Sequence, residues 1–130
     1  MSMRNLSDQF YVGPQIEIDD IEDLQISGIQ SVICLRPDGE GPSQPVFEAL
    51  KTQAASLELA ALYLPIVPGQ ISNAQIAKFA DMVTKSPGPI FAYCRSGMRA
   101  TALWALHQAQ IGQPVDDILS AAKSAGHDLT

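Results

Sequence analysis

The chain has 130 residues, 46% hydrophobic and 17% charged, a composition that suits one folded domain over residues 1–130 and excludes a disordered chain. Eight basic residues against 14 acidic ones give a formal net charge of −6, so nothing offers nucleic acid a basic face. No apolar run reaches the roughly 20 residues that cross a bilayer, and Met1 to Gln9 lacks a secretory apolar core, which predicts a soluble, cytoplasmic protein of bacterial style.

In chain order, Phe10-Tyr11-Val12 reads as a short strand stopped by Gly13-Pro14. Asp19 has the chemistry of an N-cap, Asp20 to Ser27 forms a helix burying Ile21 and Leu24, and Gly28 stops it. Ser31 to Leu35 is a β-branched run and a buried strand, broken at Arg36-Pro37-Asp38-Gly39. A helix follows over Gln44 to Leu57, with Phe47, Leu50, Ala54 and Leu57 at helical spacing. Leu59 to Ile66 is a third buried strand, with Tyr63 in the core.

Ser72 and Gln75 form a capping-box pattern ahead of a helix that carries Ile76, Phe79, Ala80 and Val83 on one face. Ser86-Pro87-Gly88 ends it. Pro89 to Tyr93 is a fourth strand, and Cys94 stands at its carboxyl edge. A helix from Met98 to Gln110 directs Leu103, Trp104 and Leu106 inward, and Pro114 opens a last helix that ends near Gly126. Strands alternating with helices predict an α/β fold with a mainly parallel sheet of four to five strands flanked by helices. Its ligand site then lies outside the carboxyl ends of the strands, where loops 36–45, 67–71 and 94–99 meet.

The loop Cys94-Arg95-Ser96-Gly97-Met98-Arg99 joins a strand to a helix N-terminus. Free first-turn amides, the helix dipole and two arginines all favour an anion there, and a thiol so placed is a nucleophile in its thiolate form. Gly97 lets the backbone fold tightly. Cys34 lies inside an apolar strand and reads as a structural cysteine. Two cysteines make no disulfide scaffold, and no metal-ligand spacing or cofactor motif occurs.

Tyr93-Cys94-Arg95-Ser96-Gly97-Met98-Arg99-Ala100 resembles the active loop of rhodanese sulfurtransferases, Cys-Arg-x-Gly-x-Arg. The order of elements resembles dual-specificity phosphatases. Over nearly the whole chain the sequence is similar to the bacterial family of beta-lactamase-hydrolase-like, phosphatase-like domains. Tyr11-Val12-Gly13-Pro14-Gln15-Ile16, Arg36-Pro37-Asp38-Gly39-Glu40, Leu64-Pro65-Ile66-Val67-Pro68-Gly69, Ala92-Tyr93-Cys94-Arg95-Ser96-Gly97 and Gly126-His127-Asp128-Leu129 carry that similarity. The resemblance implies a cysteine-phosphatase-like fold and either phosphatase-like or sulfur-transfer activity. Family members occur alone or fused to a metallo-β-lactamase-fold hydrolase resembling persulfide dioxygenases, so such a dioxygenase is an implied partner.

The residues separate the two chemistries. A tyrosine-phosphatase signature has five residues between cysteine and arginine, whereas four separate Cys94 from Arg99. The smaller cradle matches a terminal sulfur better than a phosphoryl group. A phosphatase also needs an acid for its leaving group, and Val67-Pro68-Gly69-Gln70 has no carboxylate. The expected function is therefore sulfur transfer from thiosulfate or a small persulfide, through a Cys94 persulfide, to a small thiol. A nonclassical cysteine phosphatase forming a phosphocysteine is the alternative, and a non-catalytic anion or persulfide sensor is a third. The expected catalytic residues are Cys94, Arg99 and Asp38, the last as either a displaced acid or a turn residue. Arg95, Ser96, Gly97, Met98 and Arg36 are the expected substrate binders, although Arg36 could equally be a solvated strand-end residue.

Overall fold

A computed structural model describes residues 2–130. The strands are β1 (Arg4–Ser7), β2 (Phe10–Gly13), β3 (Ser31–Cys34), β4 (Ala60–Tyr63) and β5 (Ile90–Tyr93). The helices are α1 (Asp20–Ile26), α2 (Phe47–Ser56), α3 (Asn73–Lys85), α4 (Met98–Gln110) and α5 (Val115–Ser124). The strands form one sheet in the order β1-β2-β5-β3-β4. β2, β5, β3 and β4 run parallel, and β1 returns antiparallel along β2. The expected single-domain α/β architecture is the one observed.

Alternation along the strands splits the core into two layers, because successive side chains point to opposite faces. Val12, Ile33, Ala92 and Cys94 face one side, under Phe79 of α3, Leu103 and Trp104 of α4 and Ile118 of α5. Val32, Cys34, Phe91 and Tyr93 face the other, under Ile21 and Leu24 of α1 and Phe47 and Leu50 of α2. The two cysteines therefore sit on opposite faces, and both are free. β5 lies between β2 and β3 and is buried along its whole length, which places its carboxyl end at the centre of the sheet edge.

Several boundaries shift for local reasons. β1 is additional to the expected strands, since only Leu6 of its four residues is buried and the stretch looks polar in sequence. Asp19 holds the N-cap position of α1 but makes no side-chain cap; Asp20 Oδ2 instead accepts from Glu17 N–H at 2.8 Å. α2 starts at Phe47 and not at Gln44, because Gln44 is spent on the preceding loop and stands before Pro45. Its Nε2 donates to Pro37 O and its Oε1 accepts from Gly41 N–H. β4 ends at Tyr63, ahead of Pro65, which has no N–H for a ladder. Leu106 is 41% exposed, for the buried stripe of α4 follows Ala100, Leu103 and Trp104. The Ser72–Gln75 capping box forms as expected, with both reciprocal bonds present.

Candidate active site

The chain leaves β5 at Tyr93 and enters α4 through Cys94, Arg95, Ser96 and Gly97. Gly97 takes φ +97°, a left-handed conformation that side chains resist. Space also excludes a side chain there, since a Cβ would lie 3.0 Å from His127 Nε2 and 3.4 Å from the Gly13 carbonyl group. This turn aims the Gly97 N–H at Cys94 Sγ, 3.1 Å away. Thr101 N–H closes the first turn of α4 on Gly97 O at 3.0 Å. The amides before it carry the positive end of the helix dipole toward the cysteine.

β2 braces the loop from one side. Cys94 N–H donates to Gly13 O at 3.4 Å, and Gln15 N–H donates to Arg95 O at 3.2 Å. Close packing below explains Gly13 itself, where a Cβ would stand 2.9 Å from the Phe91 ring. Cys94 has no solvent exposure and packs in the core layer that holds Leu103 and Trp104 of α4.

β3 braces the loop from the other side through charge. Arg99 Nη1 donates to Glu40 Oε2 and to Ile66 O, both at 2.8 Å, and its Nη2 donates to Glu40 Oε1 at 2.7 Å. Arg36 Nε adds a bond to Glu40 Oε1 at 3.0 Å, while its Nη1 donates to Gln15 Oε1 at 3.2 Å. Each arginine is 8% exposed. The Arg99 bonds, followed by those from Arg36, hold the Glu40 carboxyl below the usual carboxylate range. Glu40 in turn strengthens the hold of Arg99 on its proton, and Cys94 adds a smaller contribution in the same direction. A guanidinium has five N–H donors. Glu40 and Ile66 use both on Nη1 and one on Nη2, which leaves Nε–H and one Nη2–H as a side-on fork for an anion.

The expected residues fall into three groups. Cys94, Arg95, Ser96, Gly97, Met98 and Arg99 come together in one loop; Arg95 and Ser96 are exposed, and Ser96 Oγ accepts from Met98 N–H at 3.3 Å. Arg36 neighbours this loop by way of Glu40 and not as a solvated residue. Asp38 is engaged elsewhere. Its Oδ1 accepts from Phe47 N–H at 2.9 Å, and its own N–H donates to Tyr63 Oη at 2.9 Å. Val46 holds the N-cap position of α2 without a side-chain cap, and Asp38 supplies the missing oxygen. The Tyr63 ring stacks on Phe47 at a centroid distance of 4.8 Å, which completes that corner.

Glu40, Gln15 and His127 belong to the site without having been marked as functional residues in the sequence. Glu40 lies in an irregular loop with no periodic signal. The Arg36–Glu40 spacing of four would suggest a helix pair, yet neither residue is helical. On the opposite face, the Cys34 thiol donates to Arg36 O at 3.4 Å, and burial pushes that thiol up. Burial also raises the hydroxyl of its neighbour Tyr93, which has no hydrogen-bond partner of normal geometry among the described residues.

A cysteine under a helix N-terminus, with an arginine fork at its side, is the arrangement of a cysteine phosphatase fold, and comparison with known proteins agrees. The chain is 32% identical to a protein of Agrobacterium fabrum named Beta-lactamase hydrolase-like protein, over 99% of its own length and 30% of that protein. A solved Neisseria meningitidis protein, proposed to be a phosphatase, is 32% identical, with a TM-score of 0.89 over 99% of this chain and 92% of that one. The core catalytic domain of a PP-IP phosphatase from S. cerevisiae shares the fold alone, at 15% identity and a TM-score of 0.72 over 95% of this chain and 75% of that one. The chain thus spans less than a third of the curated relative. Residues 2–111 match the model of one family, and the chain belongs to it: the Beta-lactamase hydrolase-like protein, phosphatase-like domain.

Proposed function

We propose that this domain is a cysteine-dependent transferase in which Cys94 takes a sulfane sulfur from a small anionic donor. One observation carries the reading: each carboxylate on the loop after β3 is already committed. Glu40 is held ionised by two arginines, and Asp38 caps α2. The loop over residues 67–71 has no carboxylate. Burial, with Arg4 as a lesser cause, disfavours the charged form of His127, beside Gly97, which argues against it as the acid. Such a site suits a leaving group that departs without a proton. With thiosulfate, the Cys94 thiolate bonds to the outer sulfur, the S–S bond of thiosulfate breaks, and its electron pair leaves as sulfite. Cys94 becomes a persulfide anion facing the Gly97 N–H and the Arg99 fork. A thiolate or cyanide then removes the outer sulfur and restores the Cys94 thiolate.

A second reading is a cysteine phosphatase, and the family match and the 32% identical Neisseria meningitidis protein support it better than they support sulfur transfer. The leaving group weighs against it for ordinary esters, since an acid is worth on the order of a hundredfold or more when that group is basic. A phosphatase built on this site would therefore act on activated donors such as acyl phosphates. The test is intact-protein mass spectrometry of the parent and of Cys94→Ser after exposure to thiosulfate or acetyl phosphate, with thiocyanate and phosphate release measured in parallel. One added sulfur on the parent, with thiocyanate formed from thiosulfate and cyanide, supports sulfur transfer. An added phosphoryl group with phosphate release and no thiocyanate supports the second reading.

A further inference from the structure

Beside the loop lies a hollow of about 410 Å³ that neither reaction requires. Pro68 and Ile71 wall it from the segment after β4, and Met98 and Ala102 from the first turns of α4. Arg95 and Arg99 also line it, and no carboxylate does. Met98 is 40% exposed at its surface. A bare inorganic anion needs only the loop amides and the arginine fork, so apolar walls continuous with that fork suit an organic group attached to the anion.

We infer that this hollow is a subsite for the apolar body of the donor. It selects sulfane-sulfur donors whose sulfonyl carries an aryl or branched alkyl group over small or inorganic ones. The choice of sulfur donor rests on the sulfur-transfer reading; the apolar preference does not. The anionic head lies between Arg95 and Arg99, and the body covers Ile71, Met98 and Ala102. With a thiosulfonate, the Cys94 thiolate bonds to the terminal sulfur, the sulfur–sulfonyl bond breaks, and a sulfinate leaves with the electron pair. Charge balances as it does for thiosulfate. The apolar walls bring no new chemistry. They lower the free energy of a donor by covering its body, which raises kcat/KM for one class of donor.

Two measurements on the whole chain test this. The first is titration of Cys94→Ser with benzenesulfonate and methanesulfonate, which needs no turnover. Benzenesulfonate is expected to bind on the order of tenfold more tightly. The second compares kcat/KM for benzenethiosulfonate, methanethiosulfonate and thiosulfate in the parent, Ala102→Leu and Ile71→Ala. Ala102→Leu fills the hollow and is expected to remove the benzene preference. Ile71→Ala, which opens the wall, is expected to weaken the preference several-fold. Equal binding of the two sulfonates by Cys94→Ser overturns the subsite, as does an undiminished preference in a folded Ala102→Leu. Intact binding selectivity with no sulfur turnover from any donor overturns the sulfur-transfer reading and supports the subsite.

Discussion

Glu40 grips Arg99 end-on, Oε2 to Nη1 at 2.8 Å and Oε1 to Nη2 at 2.7 Å, and Arg36 holds Glu40 from the other side. The anion-binding side of Arg99 is therefore set by a residue 59 positions away in sequence. Glu40→Gln keeps one acceptor oxygen but loses the charge and the paired grip. Its kcat/KM is expected to fall about tenfold to a hundredfold, a charged hydrogen bond being worth about 1.5–3 kcal/mol. Arg36→Ala should act in the same direction and less strongly, because Arg99 retains Glu40. Steady-state kinetics of the two variants check the ranking; an Arg36→Ala defect larger than that of Glu40→Gln contradicts it.

The same grip fixes a pH dependence. Glu40 is held below its ordinary value in the fold, so its contribution to stability is fully present above about pH 4.3, the unfolded carboxyl value. It is lost as pH falls through the lower folded value. Thermal melts of the parent and Glu40→Gln from pH 6 to pH 3 should converge toward the acid end, with the parent the more stable at pH 6. A constant difference across that range would separate Glu40 from the titration.

His127 gives a second acid limb. Burial, with Arg4 as a lesser cause, lowers its ordinary value, so its folded form resists protonation. Stability is complete above about pH 6.5 and falls as pH drops below that, down to the lower folded value. His107 is lowered by burial too and contributes with the same sign. His127→Gln should flatten the melting-temperature profile between pH 7.5 and 5 more than a surface substitution does. Unlike His107, His127 meets the loop at Gly97, so its replacement should also alter turnover.

Gly97→Ala should be severe for two separate reasons. The left-handed φ of +97° costs an ordinary residue about 1–2 kcal/mol. The added methyl also meets His127 and Gly13. Relief of that contact moves the N–H away from Cys94 Sγ. A lowered melting temperature should accompany a loss of persulfide formation, and His127→Gly in the same chain should restore part of both. A Gly97→Ala protein with parental kinetics would show that the N–H at 3.1 Å has no role.

Asp38→Asn and Asp38→Ala separate a helix cap from an acid. The asparagine keeps an oxygen for Phe47 N–H, while the alanine leaves that amide without a partner, at a cost of about 1 kcal/mol. Sulfur transfer should be nearly unchanged in both, with stability lower in Asp38→Ala. If activity collapses in Asp38→Asn while its melting temperature holds, the carboxyl is an acid.

Much of this was legible in local sequence. The loop after β5, the capping box at Ser72 and the alternation of strands with helices each depend on neighbours within a few residues. The partners of the charges were not legible. Glu40 meets Arg99, Asp38 meets Phe47 and His127 meets Gly97 only after the chain has folded, and no spacing rule encodes such meetings. β1 was obscure because a strand at the sheet edge needs only one buried residue, Leu6.

The central place of β5 also bears on the order of folding. Ile90 pairs with Phe10 on one side and with Ser31 on the other, so the cradle closes only after two long stretches of chain have been brought back. Such non-local pairings form slowly and are costly in loop entropy. Until both are made, Cys94 has neither the Gly13 carbonyl to anchor its amide nor Glu40 to aim Arg99. The cradle is therefore a property of the closed sheet and not of the six-residue loop alone: whatever loosens β2 or β3 from β5 also loosens the surroundings of Cys94.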